Sequence, residues 1–235
     1  MPVEVTRSEP SKSRWSAPTI SSVHSINATI ESLAKFVSHT AEPHFSRLTL
    51  SQGIVNRDMP LNIRVDSLQL LLKDYYIDKI VDLSSVKQLT SIHGGVFAHA
   101  EKLTQLSDLC TGLYNIPLIC KGNFPSPIRR YVVYIEHWMY KHNYKLACQA
   151  VASFCSSLEY CEITSRVDTI TWPRIQRAFN EDFHDPNWES RLSCVTQLQQ
   201  YQFDHLKLLV IDDYVYSPIR HEGKWVDVTK VVTNY

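Results

Sequence analysis

Arg129, Arg130, Lys141 and Lys145, with His137 and His142, outnumber the single Glu136 between residues 129 and 145, and Tyr131, Tyr134, Trp138, Tyr140 and Tyr144 are interleaved with them. Cationic side chains hold phosphates and aromatic rings stack on bases, so this is the segment best suited to a polyanion such as RNA. Arg174, Arg177 and Arg191 extend the candidate surface. The same residues also have a plainer reading. Tyr131, Tyr134 and Trp138 would share one face of a helix and so belong in a core, and a basic helix end is commonly just solvated.

Other chemistry finds less footing. A metal centre needs His, Cys or carboxylate groups aimed at one point. On a helix, His137 and His142 would diverge by more than a right angle, and Cys148 and Cys155, though on one face, would stand roughly 10 Å apart by helical rise. No metal or cofactor is expected. The chain has no G-x-S-x-G elbow, no G-x-x-x-x-G-K and no G-x-G-x-x-G, so neither a local nucleophile motif nor a phosphate-cradling loop is present. Asp212 and Asp213, and the group Glu181, Asp182, His184 and Asp185, are acidic enough for a divalent cation, but adjacent carboxylates are usually solvated. No catalytic residue is assigned, and the chain is read as a non-enzyme with no small-molecule substrate.

Composition narrows the classes further. The 235 residues are 44% hydrophobic, enough to fill one large core or two modest ones. Lys plus Arg equals Asp plus Glu at 24 each, which argues against a protein that lives by neutralising phosphates and makes any RNA contact local. Only 6 glycines favour helices over a many-turned β-fold. The six cysteines lack a C-x-x-C pair, as befits reduced, buried thiols. No signal-like or membrane-length apolar run occurs, so an intracellular, cytoplasmic protein without a membrane segment is expected.

The elements that would position these groups read mostly as helices. Residues 1–20 read as a flexible tail. Ile26, Ile30, Leu33 and Phe36 recur at helical spacing, as do Val65, Leu68, Leu72 and Tyr76, and a third helix is expected from about Ser84 to Cys110. Residues 21–115 therefore form an N-terminal helical lobe. Gly112, Pro117, Gly122, Pro125 and Pro127 mark a boundary, and residues 127–205 form a second helical lobe. Within it, Tyr131 to Trp138, Ala147 to Leu158, Trp172 to Phe183 and Trp188 to Leu198 are each expected to be helical. Leu206 to Ile211 turns β-prone, and residues 206–235 are expected to form a β-hairpin appendage. No internal repeat of fixed period is evident.

Trp172, Ile175, Phe179 and Phe183, followed by Asp185-Pro186-Asn187, Arg191-Leu192 and Gln197-Leu198-Gln199-Gln200, resemble the Gag capsid region of long-terminal-repeat retrotransposons across residues 128–203. Ile175 stands where that pattern has an aromatic, and no zinc knuckle follows. The resemblance implies a helical shell protein that self-assembles around RNA.

The sequence alone thus points to a mostly α, two-lobed helical bundle with a small C-terminal β-hairpin. Its expected role is a self-assembling structural protein, a capsid or nucleocapsid of a virus or retroelement, forming homo-oligomers in virus-like particles. The alternatives are a helical adaptor that binds protein partners and, further off, an enzyme with a non-local active site.

Overall fold

The computed structural model describes residues 4–7, 23–37, 43–52, 60–71, 76–135, 140–164, 188–211, 214–221 and 224–231. The chain divides into two compact units, one of residues 1–108 with 121–126 and one of residues 109–120 with 127–235.

Unit 1 is built on strands. β1 (Glu4–Arg7) pairs antiparallel with β2 (Val23–Thr29), which leads directly into the short helix α1 (Ile30–Val37). β2, β3 (His44–Gln52), β4 (Ile63–Leu70) and β6 (Gln88–Ser91) then lie side by side and parallel, with the two-residue β5 (Val81–Asp82) paired to the start of β4. The connections after β4 and β6 are short 3-10 turns at Ile77–Lys79, Leu83–Ser85 and Gly94–Lys102. Asn62 adopts φ 47° on the way into β4, a left-handed conformation that Asn tolerates better than most residues.

One apolar pattern recurs through these strands. Phe45, Leu48 and Leu50 are followed by Val65, Leu68 and Leu70, then by Val86, Leu89 and Ser91, and all are buried. Register aligns them: Leu48 faces Leu68 and Leu68 faces Leu89, while Leu50 faces Leu70 and Leu70 faces Ser91. The first residue of each set is buried three positions before the second. The other two, spaced by two, point to the same side of the strand. Each rung stacks its side chains on the next, so the core is a continuous ladder. Equivalent residues are separated by 20 positions in Leu48–Leu68 and Thr49–Gln69 and by 21 in Leu68–Leu89 and Asp66–Lys87. One strand per rung and a rung near 20 residues make this part of unit 1 a stacked-strand repeat. Ser85, just before Val86, is buried beside the ladder yet satisfied, since its Oγ accepts from the Val65 amide and donates to the Asp82 carbonyl.

Unit 2 has a similar pattern in its own strands. β7 (Asp108–Gly112) is followed by a 3-10 turn at Leu113–Asn115 and helix α2 (Ile116–Lys121). β8 (Arg130–Tyr134), β9 (Tyr160–Thr164) and β10 (Leu208–Ile211) are parallel neighbours. Tyr131, Cys161 and Leu209 form one buried row, and Val133, Ile163 and Ile211 form another. Helices α3 (Tyr140–Ala152) and α4 (Trp188–Leu198) occupy the longer connections and pack on each other. β11 (Tyr214–His221) and β12 (Lys224–Val231) close the chain as an antiparallel hairpin on β10.

The expected helical bundle is therefore corrected to strand-rich units whose helices are short and fill connections. The segment Val65 to Leu70 is strand rather than helix, and so is Arg130 to Tyr134. The stretch from Ser84 to Cys110 is two strands around 3-10 turns. A repeat is present where none was expected. The Trp172–Phe183 stripe lies outside the described residues, and so do residues 8–20 of the expected tail.

Candidate functional site

In a strand whose alternate residues are buried, the residues between them must face the other way. In unit 1 these form aligned rows. Ser25 pairs with Arg47, Arg47 with Ser67 and Ser67 with Gln88, and the Asp108 amide donates to the Lys87 carbonyl at the next rung. A second row runs through Asn27, Thr49, Gln69 and Thr90. Every member of both rows is polar. Between the first row and the preceding positions Ser46, Asp66, Lys87 and Ser107 lies an open groove of about 520 Å³.

Charges along the groove are partly committed to each other. Lys87 Nζ sits 2.9 Å from Asp66 Oδ1, and His44 Nε2 sits 3.4 Å from Asp66 Oδ2. The Lys87 hydrogen bond, followed by the charges of Lys87 and His44, holds the Asp66 carboxyl below its usual range despite some desolvation. Ser107 Oγ donates to Asp108 Oδ2 over 2.6 Å, and Thr49 Oγ1 donates to Gln69 Oε1 over 3.2 Å. Arg47 is exposed, and its guanidinium makes no ion pair among the described residues. Within the groove it is the charge most available to something outside.

Unit 2 carries the sequence-derived candidates. Arg129 stands 3.9 Å from Glu159, and Lys207 reaches the same carboxylate at 2.6 Å. The hydrogen bond from Lys207 is the main reason the Glu159 carboxyl lies below its usual range. Arg130, the next residue, lies over the Tyr160 ring at 5.1 Å from its centroid, and the Tyr160 hydroxyl donates to Glu162 Oε2 over 2.8 Å. Burial first, then Glu162, pushes the Tyr160 phenol up to about 12. Lys145 is exposed on α3. Arg129 and Arg130 are thus brought together at the start of β8, whereas Lys145 is carried by a helix. The Lys141 side chain, Arg174 and Arg177 lie outside the described residues.

The remaining candidates separate in the same way. Cys148 is buried and meets Cys194 rather than Cys155. The groups at Asp212–Asp213 and Glu181–Asp185, and His137, lie outside the described residues. Among the described residues no set of three His, Cys, Asp or Glu groups is placed to hold a metal ion. No helix among them is long and apolar enough to cross a membrane. The polar rows of unit 1 are not evident from sequence periodicity. Their signal is the triple Phe45-x-x-Leu48-x-Leu50, Val65-x-x-Leu68-x-Leu70 and Val86-x-x-Leu89-x-Ser91, which marks the residues in between as a surface.

Comparison with protein families, curated proteins and solved structures finds no match for this chain.

Proposed function

We propose that the chain is a non-catalytic binding scaffold that engages a partner protein along the polar rows of unit 1. The observation that carries this reading is the register of Ser25, Arg47, Ser67 and Gln88 on four parallel strands. A solenoid holds such residues at strand spacing on a rigid ladder, so side chains far apart in sequence act as one extended surface. Short hydroxyl and amide groups with isolated charges suit a polar protein surface with bridging waters. An intracellular setting belongs to the same proposal, in keeping with six cysteines that form no disulfide.

The self-assembling shell around RNA drew its support from a helical bundle that strands replace and from the Trp172–Phe183 stripe.

A photo-cross-linking residue placed at Thr49, on the sheet surface, and in a second variant at Glu101, on the connection after β6, tests the scaffold in cells that make the protein. Adducts with a defined protein from Thr49 alone, abolished by Arg47→Glu, support it. Equal adducts from both positions, or none from Thr49, refute it.

A further inference from the structure

Helices α3 and α4 meet through sulfur. The buried side of α3 carries Tyr144, Ala147, Cys148 and Val151, and that of α4 carries Cys194, Val195 and Leu198. Cys148 Sγ lies 2.8 Å from Cys194 Sγ, and its S–H donates to the Cys194 carbonyl over 3.7 Å. Exposure is 0% for Cys148 and 1% for Cys194. Neither thiol has a role in the groove of unit 1, and neither needs a sulfur atom merely to fill space, since a small apolar side chain would do so.

We infer that Cys148 and Cys194 form a two-electron oxidation site, at which a peroxide-class oxidant cross-links α3 to α4. One sulfur attacks a peroxide oxygen, breaks the O–O bond and becomes a sulfenic acid while the first water leaves. The second sulfur attacks the sulfenic sulfur, the new S–S bond forms, and the hydroxyl departs with the second thiol's proton as another water. Hydrogen peroxide takes both electrons and the chain loses two hydrogens. Burial slows the first step, because the oxidant must wait for the helix pair to open locally. Proximity makes the second step fast, because the partner thiol is already in place. The cross-link would tie residues 46 positions apart, which restricts the unfolded chain and raises the unfolding temperature. Cys161 on β9 is the nearby competitor and is equally buried; what sets Cys194 apart is its sulfur, 2.8 Å from that of Cys148.

The test is a titration of the full chain with hydrogen peroxide, followed by alkylation and a non-reducing digest. The expected result is loss of two of the six alkylatable thiols, a linked peptide pair containing Cys148 and Cys194, and a higher unfolding temperature. Dithiothreitol should reverse all three, and C194S should abolish the linked pair. Recovery of Cys148 and Cys194 as alkylated thiols while the exposed Cys120 is oxidised would overturn the assignment, as would a Cys148–Cys161 link. The linked pair is read on the unaltered chain, so the outcome holds whether or not a variant folds.

Discussion

Arg130 and Tyr160 occupy the same register on neighbouring parallel strands, and the guanidinium lies 5.1 Å from the ring centroid. The contact places a cation over an electron-rich face. It also engages an arginine that sequence alone offered to RNA.

The Tyr160 phenol, held at about 12 by burial and Glu162, should respond to both neighbours. Glu162→Gln removes a negative charge and an acceptor and should lower the value toward the ordinary 10.0, whereas Arg130→Ala should raise it further. Tyrosinate absorbance of each protein, minus that of its Tyr160→Phe counterpart, measures the shift. The sign for stability follows from linkage: the neutral phenol's contribution is complete below the ordinary value of 10.0 and is lost as pH rises through about 12. A shift of the same sign in both variants would rule out this arrangement.

Asp78 offers a second titration. Burial raises its carboxyl, but the Lys102 hydrogen bond and the His99 charge outweigh that and hold it below the ordinary value. Its side chain is 8% exposed, with Lys102 Nζ 2.7 Å from Oδ2, while Oδ1 is buried without a hydrogen bond. Lys102→Ala should cost about 1 to 3 kcal/mol, read from the urea midpoint at neutral pH. A depressed carboxyl contributes stability above its ordinary value and loses it as pH falls through the folded value. The slope of stability against pH between about 5 and 2 should therefore flatten in Lys102→Ala, and an unchanged slope would count against the pairing.

Leu70 separates the strand from the helix expected over the same residues. It lies off the helical stripe of Val65, Leu68, Leu72 and Tyr76, yet it is 2% exposed on β4. Leu70→Ala should destabilise by about 2 to 5 kcal/mol, while Gln69→Ala on the polar row should change stability by no more than about 0.5 kcal/mol. Chemical denaturation of the two variants decides between the geometries.

Thr111 Oγ1 and the Tyr131 hydroxyl lie 3.3 Å apart in the buried part of unit 2. Tyr131→Phe leaves the Thr111 hydroxyl without that partner and should cost about 1 to 3 kcal/mol. Thr111→Val on the Tyr131→Phe background should recover part of the loss, because two polar groups then disappear together. Additive losses in this cycle would show that the hydroxyls do not interact.

Some of the fold was legible in the residues. Trp188, Leu192, Val195 and Leu198 mark the helix Trp188–Leu198, and β-branched runs near the end mark strand Leu208–Ile211 and the hairpin after it. The rest was hidden by a coincidence of spacing. Val65-x-x-Leu68 is a three-residue step that a helix and this strand share, and Leu72 and Tyr76 happen to extend it in helical phase. The hydrogen bonds that make Ile63–Leu70 a strand come from β3 and β6, so no local signal announces them. Tyr131 belongs to the core as expected, but strand alternation rather than a helical face buries it. That same alternation sends Arg130 outward, and the unit 1 rows become visible only when the triples are aligned.

Connections between rungs differ greatly in length while the strands keep their register. Glu159 and Lys207 sit 48 positions apart and Thr49 and Gln69 only 20, yet each pair meets side by side. Closing the longer span costs only about 0.8 kcal/mol more in chain entropy. Evolution, or an engineer, can therefore lengthen a span between rungs into a new lobe and leave the neighbouring strands as they were.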